Sequence, residues 1–238
     1  MGVRKNQKTL SQAEWNDFLQ AMESIQERKA KTPRYRSFVR VHVRAMDSND
    51  TEGMSWGVHT MMSRMPGRNF LAWHRQLLLK FEKRLQVVKA TITIPYWDPI
   101  NDPAIPAPLN DPQLLSDWDI TRKWNPAYLP VAEDLTAVMK RASFSPFQAT
   151  LERTLHAAVH IAVGGDAPPL GTMATSSSPA DPLFWLHHAN IDRIWADWQL
   201  KHPGKNPPNL DETLEPKPLL GVKVSKEIDI GVLGYSYQ

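Results

Sequence analysis

Hydrophobic residues recur at helical spacing in three stretches of the first half of the chain. Ser11-Gln12-Ala13-Glu14 is a capping-box pattern, and the apolar residues that follow it at steps of three and four predict a first helix ending near Ala30. A second helical pattern begins after Pro33. A third starts at Asn69, a favoured capping residue, and its apolar positions continue on one face to Val88. Each stretch is predicted to pack one face against the core.

Two later helices are marked by the residues at their ends. Ser145-Pro146 places a cap before a proline at the first helical position, and Gly164-Gly165 is a stop signal, which predicts a helix of about eighteen residues. Asp181-Pro182 repeats the start signal for a helix that continues through Leu200 and is ended by Pro203-Gly204.

A proline-rich segment separates the early helices from the later ones. Prolines at positions 99, 103, 106, 108, 112, 126 and 130 are incompatible with a helix interior or a sheet ladder, so ordered coil over the core is expected there. In the tail, residues 207–238, short Val/Ile runs between turn residues predict one or two strands.

The chain of 238 residues contains no Gly/Ser-rich stretch that would divide it into two patterned halves, so one domain over residues 1–238 is expected. Within it, residues 1–33 would form the N-terminal helix and lead-in, and residues 207–238 the tail that closes the core. Hydrophobic residues make up 42% of the chain and charged residues 22%, which is typical of a globular protein.

Charge and composition exclude several classes of function. The net charge of +3 is spread without a block of basic residues, so no nucleic-acid partner is expected. The chain shows neither a signal-peptide-like start nor a long apolar run, so the expectations are no membrane partner and a cytoplasmic location. There is no cysteine, so any metal must be held by nitrogen or oxygen.

The candidate chemistry lies in the histidines. Taken singly, a histidine in a core helix is best interpreted as a hydrogen-bonded structural residue, because its ring nitrogens need partners when buried. His156 and His160 differ, since a spacing of four places both rings on one helix face, where both can reach one metal ion. Two groups of three result, one from the early helices and the loop between them, and one from the later helices. They are His42, His59 and His74, and His156, His160 and one of His187 and His188.

These two groups predict a binuclear site. A metalloprotease would have a glutamate after the first histidine of the pair, but Ala157 stands there, so a zinc hydrolase is the weaker hypothesis. Ligation by imidazole alone favours copper, although zinc also accepts such ligands. The predicted fold is mainly α, an antiparallel four-helix bundle around a binuclear metal centre, with long proline-rich coil and a few short strands.

Several segments resemble the copper motifs of the type 3 copper proteins, the tyrosinase and catechol oxidase (polyphenol oxidase) family. The resemblance covers roughly positions 34 to 238 and is most specific at Asp-Pro-Leu-Phe-Trp-Leu-His-His-Ala-Asn-Ile-Asp-Arg, residues 181–193. The other segments are Phe70-Leu71-Ala72-Trp73-His74-Arg75 with Phe81-Glu82, Leu155-His156-Ala157-Ala158-Val159-His160 with Val163-Gly164-Gly165, Ile94-Pro95-Tyr96-Trp97-Asp98, and Tyr235-Ser236-Tyr237.

The resemblance implies a bacterial-type core domain with two copper ions as cofactors and O2 as co-substrate. In the family the second histidine of the adjacent pair is the ligand, a choice that helical periodicity leaves open here. The implied copper ligands are therefore His42, His59 and His74 for one ion, and His156, His160 and His188 for the other. The interval from His59 to His74 is longer than in bacterial relatives, and a plain loop histidine is the alternative for His59.

Two further residues match the family's catalytic positions. Glu152 resembles its water-orienting glutamate, and Phe184 resembles the phenylalanine beside the copper ligands, although an ordinary core phenylalanine would look the same. The asparagine that accompanies the glutamate is replaced by Ala157. Oxidation of diphenols is therefore expected to exceed hydroxylation of monophenols.

The implied activity is oxidation of o-diphenols to o-quinones, with monophenols and o-aminophenols as further candidate substrates. The alternative within the same chemistry is an oxygen-binding protein of the hemocyanin kind. The expected partner is a small phenolic molecule, while a copper-delivery protein and the oligomeric state are left open. Asp192 and Arg193 are interpreted as structural, and His202 as a surface residue.

Overall fold

The described part of the chain, residues 1–26, 34–59 and 67–238 of a computed structural model, forms ten α-helices and two short strands. The helices are α1 (Gln12–Gln26), α2 (Tyr35–Met46), α3 (Thr51–Ser55), α4 (Phe70–Gln86), α5 (Pro112–Asp117), α6 (Ala132–Met139), α7 (Phe144–Leu151), α8 (Ala157–Gly164), α9 (Leu183–Lys201) and α10 (Ile230–Leu233), and the strands are β1 (Gly2–Arg4) and β2 (Tyr235–Tyr237). The predicted mainly helical fold is confirmed.

Much of the core lies around α4 and α9, which pack against each other and have most of their residues buried. At its centre the rings of Phe81 and Trp185 stack with their centroids 3.6 Å apart, and the Trp185 Nε1–H donates to the hydroxyl of Tyr35 at the start of α2. Stacked aromatic rings bury large apolar areas and fix the relative position of the elements that carry them. The antiparallel order of a four-helix bundle stays a prediction.

The early helices follow their predicted bounds closely. α4 begins directly after Asn69 and ends at Gln86, near the end of the predicted stripe. α1 is described to Gln26, and the predicted end near Ala30 lies outside the described residues, as does Pro33.

The helix predicted between Ser145 and Gly164 is longer at its start than expected. Ser143, in extended conformation, is the residue before the first helical turn, and its carbonyl accepts from the main-chain N–H of Phe147 at 3.1 Å. Pro146 therefore lies within the first turn, where a missing N–H costs no intrahelical hydrogen bond. The prediction of Ser145 as the cap is wrong.

This helix is continuous from Phe144 to Gly164 because a π-helical segment, Glu152–His156, joins α7 to α8. The π segment was not predicted. The predicted stop is confirmed, since Gly165 adopts φ of +86°, a left-handed conformation that glycine tolerates best. The start of α9 is confirmed as well, with Asp181 Oδ1 accepting from the Leu183 N–H at 2.9 Å.

The proline-rich segment is not coil throughout, which corrects the prediction. α5 begins at Pro112, and Asp111 Oδ1 accepts from the N–H groups of the first turn. A 3₁₀ turn also begins at Pro126, capped by Asn125. Proline is excluded from helix interiors but favoured at the first helical position, so the prolines here start short helices.

The two strands join the ends of the chain. β1 pairs with β2 in parallel, with Gly2 opposite Tyr235 and Arg4 opposite Tyr237. A strand was predicted in the tail, but from its Val/Ile runs, and these form a 3₁₀ turn at Val224–Glu227 and α10 instead of β2. The partner of β2 at residues 2–4 was not predicted. No helix of the described ranges is long and apolar enough to cross a membrane.

Candidate metal centre

Four histidines share one arrangement of their ring nitrogens. In each, Nδ1 bonds a main-chain carbonyl oxygen, and Nε2 is buried with no hydrogen-bond partner in the described part of the chain. Because a carbonyl can only accept, Nδ1 carries the proton and Nε2 presents a lone pair. The pairs are His42 with Ser176 at 2.7 Å, His74 with Phe70 at 2.8 Å, His156 with Glu152 at 3.3 Å and His160 with Met173 at 2.5 Å.

The structure gathers the predicted ligands into two groups. One nitrogen from each member of a group lies within 4.8 Å of those of the other members. The groups adjoin each other, since the rings of His74 and His188 have their centroids 4.2 Å apart and those of His59 and His156 5.7 Å apart. The first group is His42, His59 and His74, and the second is His156, His160, His187 and His188.

The second group contains both members of the adjacent pair. His187 and His188 are each 1% exposed, and their ring nitrogens have no hydrogen-bond partner among the described residues. The ring of His188 lies between the groups, stacked on His74 and with its centroid 5.1 Å from that of His156. Among the described residues, the histidine rings near His187 all belong to its own group. This position between the groups favours His188, in agreement with the resemblance.

Burial keeps these imidazoles neutral. It is the largest cause that lowers the pKa of His160 to about 4, and it holds the pKa of His42, His74 and His156 well below the usual value. Burial also lowers the pKa of His187 and His188 in the same way. A metal ion binds the deprotonated nitrogen, so the imidazoles are in the ligand form at neutral pH.

The donor set fits a pair of copper ions. A buried ring nitrogen without a hydrogen-bond partner costs free energy unless something binds it. Five of the predicted ligands have such a nitrogen in the described part of the chain, and these nitrogens converge within the two groups. These five ligands are His42, His74, His156, His160 and His188. The carbonyl partners of the Nδ1 atoms orient the rings as the outer shell of a metal site does.

Glu152 and Phe184 lie beside the histidines. Glu152 is 2% exposed, and its Oε1 is 3.4 Å from Nδ1 of His59. It starts the π segment, a feature often found at functional sites. Phe184 is fully buried, with its ring centroid 4.1 Å from that of His188 and 5.2 Å from that of His42.

A cavity of about 310 Å³ leads to this centre. Histidines of both groups and Glu152 line its inner part, and its walls are largely apolar. Such a volume with apolar walls and a few polar groups is typical of a small-molecule site. The apolar walls are formed by Met46, Ala157, Ile161, Leu170 and Met173.

The carbonyls that orient His42 and His160 were missed by sequence reasoning. Ser176 and Met173 lie in the segment between α8 and α9, and no side-chain pattern marks a residue that contributes only its main chain.

His202 was predicted at the surface but is half-buried, stacked on Trp198 with its Nε2 3.2 Å from the Met139 carbonyl. Asp192 and Arg193 make ion pairs that anchor α9, with Asp192 bound to Arg4 and Arg75 and Arg193 bound to Asp98.

Comparison with known proteins decides the family. The family model of the common central domain of tyrosinase matches residues 32–122 and 110–201. The chain belongs to the tyrosinase family. It is a binuclear copper enzyme of the polyphenol oxidase type that uses O2. The zinc-hydrolase hypothesis is therefore wrong.

Tyrosinases of Streptomyces resemble the chain over most of its length. The tyrosinase of Streptomyces glaucescens is 34% identical, over 86% of this chain and 85% of that protein. The tyrosinase of Streptomyces antibioticus is 32% identical, over 91% of this chain and 93% of that protein. A functional unit of Octopus hemocyanin has the same fold, with a TM-score of 0.77, 22% identity and coverage of 100% of this chain and 68% of that chain.

Proposed function

We propose that this tyrosinase-family enzyme oxidises o-diphenols to o-quinones, with His42, His59 and His74 holding one copper ion and His156, His160 and His188 the other. The observation that carries the ligand assignment is the shared geometry of the anchored histidines. Their Nδ1 protons are committed to main-chain carbonyls, and their Nε2 lone pairs converge. Bound copper supplies a redox-active pair at which O2 accepts the electrons that the phenol gives up.

The cavity favours an enzyme over an oxygen carrier. It joins histidines of both groups to a partly exposed rim at Leu170, so a phenol can reach the centre from solvent. The apolar walls at Ala157 and Ile161 would pack against the aromatic ring and direct its hydroxyls inward. The hemocyanin-like fold alone does not require such an opening.

The residues around Glu152 support diphenol oxidation over monophenol hydroxylation. A monophenol must lose its phenolic proton, and Glu152, buried in the cavity near His59, is the candidate base that accepts it through a bound water. The next cavity residue after His156 is Ala157, whose methyl group can neither donate nor accept a hydrogen bond to hold that water.

Copper analysis and paired assays test the proposal. We expect two copper ions per chain and a steady rise of quinone absorbance with 4-methylcatechol, at a higher rate than with 4-methylphenol. An o-aminophenol belongs in the same assay, because it presents a similar ortho pair of donors. A single copper ion per chain, or monophenol hydroxylation without lag at a rate above that of the diphenol, would contradict the proposal.

An Ala157→Asn variant probes the missing partner of Glu152. Because the amide could hold a water beside Glu152, we expect the monophenol rate to rise relative to the diphenol rate, with the copper content unchanged. Ala158→Asn on the same helix is the matched control, since Ala158 is not among the described residues that line the cavity.

A further inference from the structure

The outer edge of the cavity is formed by a short closed loop. Residues 165–171 leave the end of α8 and return to it, with the Gly171 N–H donating to the Gly164 carbonyl at 2.7 Å. Asp166 and Leu170 of this loop line the cavity, and both are exposed. The loop therefore places a carboxylate where the cavity meets solvent.

The carboxylate of Asp166 is held in position by Tyr128. The Tyr128 hydroxyl donates to Asp166 Oδ2 at 2.6 Å, and the carboxylate in turn raises the pKa of Tyr128, so the tyrosine keeps its proton. Tyr128 belongs to the 3₁₀ turn capped by Asn125, whose N–H donates to the Ala162 carbonyl of α8 at 2.7 Å. Both partners are thus fixed to the helix that carries His160.

The charged carboxylates among the described residues that line the cavity have no cationic counterpart in that lining. Glu152 and Asp166 are the carboxylates among the described lining residues, and these residues include no lysine or arginine. Glu152 is buried beside His59, whereas Asp166 lies at the exposed edge. A phenol with its hydroxyls at the histidines would therefore direct its other substituent toward the edge of the cavity where the Asp166 carboxylate lies.

Building on the proposed oxidation of o-diphenols, we propose that Asp166 makes the enzyme prefer phenols that carry a protonated amine on the side chain opposite the hydroxyls. The carboxylate attracts an ammonium group and repels a carboxylate at the same place. Asp166 is exposed, so the expected contribution is modest, about two- to fivefold in KM for each substrate. Copper also attracts anionic substrates, but it does so equally in the wild type and its variants. This attraction therefore cancels when the KM values of a variant and the wild type are compared.

Three catechols of similar size test the preference in the copper-loaded enzyme: dopamine, which is cationic, 3,4-dihydroxyphenylacetate, which is anionic, and 4-methylcatechol, which is neutral. In Asp166→Asn, which keeps an oxygen to accept from Tyr128, we expect KM to rise for dopamine and fall for the acid. KM for 4-methylcatechol and kcat for all three should stay within about twofold. Asp166→Lys should reverse the order of the two charged substrates.

Salt and a matched variant separate charge from structure. The wild-type preference for dopamine should shrink when ionic strength is raised, because exposed charges are screened. Asp211→Asn removes an exposed carboxylate that is not among the described lining residues and should leave all three KM values unchanged.

Two outcomes would overturn the inference and leave the proposed function unaffected. One is a ratio of the KM for dopamine to the KM for the acid that is unchanged in Asp166→Asn, and the other is an equal change of KM for all three catechols. Failure of the copper-loaded wild type to oxidise 4-methylcatechol would instead overturn the proposed function.

Discussion

Main-chain carbonyls of one segment orient histidines of both groups. Ser176 accepts from His42 in α2, and Met173 accepts from His160 in α8, so the residues between α8 and α9 contact each half of the centre. A ring held through Nδ1 can bind a metal only through Nε2. The direction in which each imidazole faces is thus set before any metal binds.

The adjacent histidines of α9 provide a paired test of the ligand assignment. We expect His188→Ala to lower the copper content from two to about one per chain, because it removes the imidazole that lies between the groups. His187→Ala is the matched control and should keep nearly two, since removal of its ring leaves the six proposed ligands in place. Metal analysis of the two purified variants decides. Loss of copper in His187→Ala alone would transfer the ligand role to His187.

Outside the metal centre, Glu227 is a buried carboxyl group with an unusual proton affinity. Burial is the main cause that raises the pKa of Glu227 to about 7, the charge of Asp192 adds to it, and Arg75 opposes it. Its Oε2 is buried, and no group in residues 1–26, 34–59 and 67–238 forms a hydrogen bond with it. The folded protein therefore holds a proton that the unfolded chain releases near pH 4.5, so the stability due to the neutral form is lost as pH rises through about 7.

A Glu227→Gln variant should remove this dependence. We expect its free energy of unfolding to exceed that of the wild type by roughly 2–3 kcal/mol at pH 8 and to match it near pH 4.5. Urea unfolding at several pH values measures the difference. Glu23→Gln, which neutralises an exposed carboxylate on α1, should show no such trend. A constant difference between Glu227→Gln and the wild type at all pH values would contradict the prediction.

The residues of the candidate site were predictable from the sequence where their side chains themselves would bind the metal. The spacing of His156 and His160 and the resemblance around His188 predicted the histidines that the structure gathers. The partners Ser176 and Met173 were not predictable, because every residue offers a carbonyl and only the folded path of the chain selects one. The same holds for Asp166, whose place at the cavity depends on a loop closure.

The helix from Phe144 to Gly164 shows which properties of an element its sequence fixes. Its end was predicted from Gly164-Gly165, where the positive φ of Gly165 requires glycine. The π segment at Glu152–His156 was not, because its residues have no composition that distinguishes them from an α-helix. The proline that starts α5 differs from the π segment in this respect, because proline is favoured at the first helical position and Asp111 caps that turn.

Gly164 allows the segment after α8 to approach the helix. A side chain at Gly164 would overlap the main-chain nitrogen of Ala174, next to the carbonyl of Met173 that orients His160. We expect Gly164→Ala to reduce the free energy of unfolding by about 1–3 kcal/mol and to weaken copper binding at the second group. Thermal unfolding and metal analysis measure the two effects.

The matched control is Gly204→Ala, where an added Cβ would have no atom of the described residues within 4 Å. Only the conformational cost of a positive φ, about 1 kcal/mol, should appear there, and the copper content should not change. Equal copper contents in the two variants would show that the close approach at Gly164 does not support the centre.

On the scale of the whole molecule, the two ends of the chain close over α9. Arg4 of β1 is fully buried and forms ion pairs with Glu82 of α4 at 2.9 Å and Asp192 of α9 at 3.3 Å. Asp192 also accepts from the hydroxyls of Tyr235 and Tyr237, each at 2.6 Å. One domain over residues 1–238 stays a prediction, and we propose it here on the basis of this network. Its existence was not predictable, since a three-residue strand has no sequence signature and its partner lies at the other end of the chain.

Replacement of Arg4 tests how much this closure contributes. Burial alone would raise the pKa of Asp192, but Arg75 and Arg4 hold it below its ordinary value, so the carboxylate is charged in the fold. Arg4→Met leaves Glu82 and Asp192 with less compensation in a buried place, and we expect a loss of about 3–5 kcal/mol in the free energy of unfolding, measured by urea denaturation. Lys223→Met, which breaks the exposed pair with Asp211, should cost less than about 1 kcal/mol. Equal losses in the two variants would mean that the ends of the chain contribute no more to stability than a surface ion pair.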